Sequence, residues 1–114
     1  MEGRIFSAVV PEGKSSAWMV PDLYRDRLEV ATGDVPTLLA KALDGSDGID
    51  LFYYASDHSY RAMMAAFTLA KPTLRPGALV VAVDVGWNAS LWDFAERSGV
   101  PSYTFKNAVG VAFF

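Results

Sequence analysis

Leu74-Arg75-Pro76-Gly77-Ala78-Leu79-Val80-Val81-Ala82-Val83-Asp84 (LRPGALVVAVD) is the stretch on which the fold of this chain turns. Ala78 to Val83 is its most hydrophobic run, and its β-branched content reads as a strand. Arg75-Pro76-Gly77 in front of it has the residues that stop a helix. Asp84 falls at the strand's C-terminal end, where open α/β sheets present their functional groups.

Working upstream, Ser59 to Leu74 has Met63, Met64, Phe67, Leu69 and Ala70 at helical spacing, with Ser56 or Asp57 available as its cap. Before it, Ile49 to Tyr54 (IDLFYY) alternates too little for a half-exposed strand and is expected to be a central, buried one. Asp44 to Gly48 (DGSDG) is a turn, Val35 to Leu43 a helix, and Leu28 to Ala31 a short strand stopped by Thr32-Gly33-Asp34. The spacing predicts a further helix over about Ala17 to Arg27 and a first strand over Arg4 to Val10, closed by Pro11 and Gly13. Downstream, Asn88 caps a helix of about Ala89 to Ser98. Ser102–Phe105 and Val109–Phe114 then form a hairpin around Lys106-Asn107. The order βαβαβαβαββ implies an α/β, three-layer Rossmann-like domain, its sheet mainly parallel with a C-terminal antiparallel hairpin.

The 114 residues are one domain's worth, and 52% hydrophobic content suffices for a core, so residues 1–114 are read as a single domain. With no run of 18 apolar residues and no leader-like N-terminus, the expectation is a cytoplasmic protein with no membrane partner. The absence of cysteine removes disulfides, thiolate metal sites and cysteine nucleophiles. A net charge of −3 with singly scattered Lys and Arg gives no phosphate-neutralising stripe, so nucleic acid is not expected as a partner.

Several ordered pieces between Ser16 and Gly99 resemble one group of class I S-adenosylmethionine-dependent methyltransferases. These are Trp18-Met19-Val20-Pro21 with Arg25-Asp26-Arg27 leading into Leu28–Ala31 and Gly33-Asp34, then IDLFYYASDHSY (Ile49 to Tyr60), then Leu74-Arg75-Pro76-Gly77 running to Asp84 and Gly86-Trp87-Asn88. The second is similar to the family's D-L-hydrophobic-x-D-x-D-H-S/T-Y signature, and the third to its L-R-P-G-G…D-D-V segment. The resemblance implies that this chain runs from the family's second strand to its seventh, without the first strand and its glycine-rich cofactor loop. A sheet lacking that central strand is expected to close by pairing this chain's first and third strands, or by associating with a second copy as a homo-oligomer.

By the same resemblance, Asp34, with Gly33 beside it, contacts the cofactor's adenine, and Asp57, His58 and Asp84 lie nearest the methyl transfer. The family's ribose-binding acid would fall near Ala8 or Val9. Ala55 and Val83 stand where metal-dependent members carry carboxylate ligands, so no metal is expected. The function implied is methyl transfer from S-adenosylmethionine to the hydroxyl of a small-molecule substrate. The alternative is a non-catalytic structural or engineered half-domain that self-associates, which Ala55 and Val83 favour.

Each site residue also has an ordinary structural reading: Asp57 a helix cap, His58 a half-exposed first-turn residue, Asp84 and Asp34 turn caps. Trp87, Trp92 and Phe94 read as core aromatics rather than pocket lining. Asp44, Asp47 and Asp50 lack calcium-loop spacing and read as a solvated turn. A second alternative is a P-loop-like nucleotide-binding protein, because AVVPEGKS (Ala8 to Ser15) fits a relaxed phosphate-loop pattern and VVAVD (Val80 to Asp84) imitates its partner strand. Val9, Val10 and Pro11 stiffen that loop, and Pro11 offers no amide to a phosphate.

Overall fold

The computed structural model describes residues 5–9, 28–32, 35–45 and 47–114. The chain separates into two compact units, Met1–Gly45 and Ser46–Phe114. In the first, β1 (Ile5–Val9) and β2 (Leu28–Thr32) pair in parallel, Ile5 opposite Leu28 through Val9 opposite Thr32. Helix α1 (Val35–Asp44) follows, with Pro36 in its first turn, where a missing N–H costs nothing, and Lys41 in its last, where a cation suits the helix dipole. The helix expected over Ala17 to Arg27 lies outside the described residues.

The second unit is built on a four-stranded sheet of β3 (Ile49–Tyr54), β4 (Leu74–Val83), β5 (Ser102–Phe105) and β6 (Val109–Phe113), in the order β3-β4-β6-β5. β3 and β4 are parallel, joined through α2 (Tyr60–Ala70), as a crossover connection requires. β6 runs antiparallel to both β4 and β5. The fold is thus α/β with a mixed sheet, β3 and β4 parallel and β6 antiparallel to both its neighbours. The hairpin turns as its sequence predicts: Lys106 and Asn107 both take positive φ (50° and 54°), and Ala108 N–H donates to Phe105 C=O at 2.9 Å.

Helices α2 and α3 (Ser90–Ser98) cover one face of this sheet. Strand alternation sends Phe52 and Tyr54 of β3, Ala78, Val80 and Ala82 of β4, and Ala112 of β6 into that interface, all of them buried. Phe67 of α2 sits at its centre, fully buried, with Phe52 and Tyr54 edge-on at 6.4 and 5.7 Å and Phe94 of α3 tilted at 5.3 Å. Gly110 of β6 leaves room for the second helix: a methyl there would come within 2.5 Å of Leu91 Cδ2 and 3.0 Å of Val85 Cγ1.

Two expectations need correction. First, β3 is not central in this sheet. It lies at the edge, pairing only with β4 among the described residues, and its alternate residues Leu51 and Tyr53 are 58% and 60% exposed. An apolar sequence specifies a strand but carries no label for which of its faces is covered.

Second, the helix expected to reach Leu74 stops at Ala70, because Pro72 cannot donate in an α-helical ladder and the chain tightens into a 3₁₀ turn at Lys71–Thr73. β4 therefore starts at Leu74. It accommodates Pro76 and Gly77 (φ 87°) in a bulge, since Leu74 pairs with Ile49 but Leu79 already pairs with Leu51.

Phe67→Ala is expected to destabilise the protein by about 3–5 kcal/mol. Gly110→Ala is expected to cost about 1–3 kcal/mol by overpacking against Leu91. Chemical denaturation of the two variants beside the parent chain measures both.

Candidate functional site

The C-terminal ends of the parallel strands β3 and β4 lie side by side, and each feeds a short loop carrying one half of a close His–Asp pair. From β3 the chain runs through Ala55 to Ser59. Tyr54 hydroxyl donates to Asp57 C=O at 2.7 Å, Asp57 Oδ1 accepts the Ser59 N–H at 2.9 Å, and Ser59 Oγ accepts the Ala62 N–H at 3.2 Å as the N-cap of α2. The cap is therefore Ser59, neither Ser56 nor Asp57, and the Asp57 carboxylate braces it. The Ser59 backbone N–H, followed by its side chain and more weakly by His58, holds the Asp57 carboxyl below the usual carboxylate range. Burial, followed by the Asp57 charge, pushes the Tyr54 phenol up. These contacts fix the loop and leave His58 between two anchored neighbours.

From β4 the chain enters Asp84, which adopts the left-handed region (φ 55°, ψ 36°) and starts a 3₁₀ turn at Val85–Trp87. That conformation is costly for a residue with a side chain, and Asp and Asn bear it best. The turn is clamped from the hairpin side, where Gly86 N–H donates to Asn107 C=O at 2.8 Å. A side chain at Gly86 would meet that carbonyl at 2.7 Å, so the close approach depends on glycine.

The two loops meet at His58 and Asp84, with His58 Nε2 3.2 Å from Asp84 Oδ2. The imidazole is about one-fifth exposed and the carboxylate about half. The approach is out of line for a hydrogen bond, so the contact is one of proximity, and among the described residues Nε2 has no hydrogen-bond partner. The Trp87 indole lies tilted against the imidazole at 5.4 Å and is 74% exposed, so it lines the rim of the site and is not core. Trp92 is exposed as well, and only Phe94 of the three aromatics is buried.

Sequence reasoning passed over Asn88 as a site residue, reading it only as a helix cap. Its Oδ1 does accept the Ser90 N–H at 2.9 Å, next to the start of α3. Its Nδ2 also donates to His58 C=O at 2.6 Å and lies 3.6 Å from Met63 Sδ, so one amide ties the His58 loop to α3 and the core. Nothing in the sequence signalled the second bond, which joins residues 30 apart.

The structure thus brings together His58 and Asp84, with Asp57 beside them in the cap. Gly33 and Asp34 lie outside the described residues. Ala55 is exposed at the end of β3, and Val83 pairs with Val109 inside the sheet; neither offers an oxygen donor. Among the described residues, no three of His, Cys, Asp and Glu come together. Asp50 is paired with Arg75 at 3.0 Å on the surface. A shallow apolar groove along α2, lined by Tyr60, Met64, Leu69 and Pro72, shares no residue with the His58–Asp84 pair.

Residues 3–85 match a family described as "Methyltransferase domain". The chain belongs to that family. Among solved structures, the methyltransferase domain is similar to the O-methyltransferase from Bacillus cereus in complex with SAH, at 16% identity and a TM-score of 0.63 over 97% of this chain and 62% of that one. It is similar also to a methyltransferase from Geobacter sulfurreducens, at 14% identity and 0.59 over 98% and 71%, and to a putative caffeoyl-CoA O-methyltransferase from Staphylococcus aureus, at 9% and 0.53 over 80% and 53%. No match is found among curated proteins. The domain spans about 62% of the Bacillus cereus protein's length. The family match takes in AVVPEGKS and reaches beyond Asp84, so the phosphate-loop alternative is not favoured, nor is a purely structural half-domain.

Asp84→Gly is expected to fold at least about 1 kcal/mol more stably than Asp84→Ala, because only glycine takes a positive φ freely. Asn88→Ala is expected to cost about 1–3 kcal/mol by orphaning its backbone partners. Thermal or urea unfolding of the three variants tests both.

Proposed function

We propose that this domain binds S-adenosylmethionine and uses the His58–Asp84 pair to deprotonate the hydroxyl of a small molecule during methyl transfer. The observation that carries the reading is the 3.2 Å approach of His58 Nε2 to Asp84 Oδ2 across two adjacent strand ends. This is where α/β sheets bind ligands, and the Asp84 carboxylate is about half exposed, so a substrate can reach the pair from that side.

The cofactor supplies an electrophilic methyl on a sulfonium. The acceptor oxygen passes its proton to the His58–Asp84 pair through the more exposed Asp84 carboxylate as its bond to the methyl carbon forms and the carbon–sulfur bond breaks, and the two groups share that proton. Asp57 acts on the geometry through the Ser59 cap, and Asn88 through the His58 carbonyl. Gly33 and Asp34 are assigned to the adenine by family resemblance. The fit is to the transfer end of such a site: Ala8 and Val9 offer the ribose no carboxylate, and Ala55 and Val83 give a metal no ligand, so no step is routed through one. Among the described residues no helix is long and apolar enough to cross a membrane, and we place the protein in the cytoplasm.

Calorimetric titration of the whole chain with S-adenosylmethionine and S-adenosylhomocysteine is the first test, with binding of both expected. His58→Ala is then expected to keep that binding while lowering transfer of labelled methyl to small hydroxyl acceptors by about 10²–10⁴-fold. Absence of binding by either ligand defeats the proposal and returns the domain to a structural role.

A further inference from the structure

Three side-chain bonds tie the start of α2 to the start of α3, all within the Ser46–Phe114 unit. Ser90 Oγ donates to Met63 Sδ at 3.4 Å, Asn88 Nδ2 to His58 C=O at 2.6 Å, and the Tyr60 hydroxyl to Asp93 Oδ2 at 2.6 Å. They run outward from the core: the first is buried, the second half-buried, the third exposed. Met63, Ser90 and Asn88 belong to the packing beneath the site, whereas Tyr60 and Asp93 do not.

Both ends of the third bond are rooted. Tyr60 is the first residue of α2, directly after the Ser59 cap and two residues after His58. Asp93 stands in the first turn of α3, where the helix dipole favours a carboxylate, and its N–H donates to Ala89 C=O at 2.8 Å. The phenol–carboxylate contact has the length of a charge-assisted bond. The same bond pushes the Tyr60 phenol above its ordinary value, so it stays a donor throughout the neutral range. Exposed pairs of long, flexible side chains are weak because ordering them costs entropy, and neither Tyr nor Asp is of that kind.

We propose that Tyr60 and Asp93 are positioning residues for the transfer, holding the start of α2 against α3 so that His58 Nε2 stays 3.2 Å from Asp84 Oδ2. The inference rests on the reading of that pair as the transfer site. His58 leads into α2, and Asp84 leads through Val85–Trp87 and Asn88 into α3, so a shift of one helix start against the other opens the pair. Two ties leave a helix start free to pivot about the line joining them, and a third at the rim opposes that pivot.

His58 is the only histidine of the chain, so its ring resonances report its surroundings in the full chain without activity or cofactor. Tyr60→Phe and Asp93→Ala are each expected to move those resonances and to weaken the nuclear Overhauser contact between the His58 and Trp87 rings, with circular dichroism unchanged. Asp93→Asn keeps an oxygen for the phenol and restores the parent positions. The double variant moves the ring no further than either single one, because each removes the same bond. Tyr103→Phe, which removes a phenol on β5, leaves the resonances in place. In methyl transfer, Tyr60→Phe is expected to lower kcat about 10–100-fold with the KM for S-adenosylmethionine unchanged. Resonances unmoved by both single substitutions, additive shifts in the double variant, an Asp93→Asn chain that behaves as Asp93→Ala, or full kcat in Tyr60→Phe overturns the proposal. A parent chain without transfer activity defeats the transfer reading, and the imidazole resonances then decide by themselves whether the tie holds His58. Asp93→Ala carries both readouts should Tyr60→Phe fail to fold.

Discussion

The packing of Phe67 against β3 and α3 is the constraint on which the rest of the second unit depends. Its ring has no solvent exposure and touches aromatics from both neighbouring layers: Phe52 and Tyr54 from the sheet, Phe94 from the adjacent helix. Because Tyr54 is at once a wall of this core and, through its hydroxyl, the support of Asp57, the position of the Asp57–Ser59 loop is set by core packing. Met63 plays the same double part, buried beside Phe67 on α2 with its sulfur against Asn88 and Ser90. The site is therefore an extension of the core outward, and its geometry is as stiff as the aromatic packing beneath it.

Asp84 shows the other half of that coupling. Its left-handed backbone is a local cost carried by the clamp between Gly86 and Asn107, and Asn107 is itself held at positive φ by the hairpin turn. Strain at a strand end next to a charged side chain is common at functional positions, and here it redirects the chain so that the carboxylate faces His58 and not solvent alone. A hairpin that forms an edge of the sheet thus has a bearing on chemistry at the far end of β4.

Much of the fold was legible because its signals are local. Lys106-Asn107 between two β-rich runs announced the hairpin, and Ile49 to Tyr54 announced β3 to the residue. The errors came where local and non-local signals disagree. Pro72 ended α2 earlier than the apolar spacing suggested, and the Pro76-Gly77 pair, read as a helix stop, proved to be a bulge inside β4, a reading available only once its partner strand is known. His58 and Asp84 were identifiable as strand-end residues in a family pattern, but their meeting depends on two loops 26 residues apart in sequence, which no periodicity encodes. Asn88 was recognised as a cap, and its second bond, to the His58 carbonyl, is a tertiary contact with no sequence signature.

The stretch quoted first carries three separate demands in eleven residues. Ala78, Val80 and Ala82 face the helices and are small, which lets α2 and α3 sit close over the sheet centre. Leu79, Val81 and Val83 face the other way, and Asp84 leaves the strand for the site. The period-two alternation of a strand keeps the first two demands independent, so the core side and the outer side can change composition without disturbing each other. By the family resemblance, Val83 stands where metal-dependent members hold a carboxylate ligand. A charge there would lie in the same cross-strand row as Val109 and Phe105, so the residue that withholds a metal ligand from the site is also the one that keeps that row free of charge.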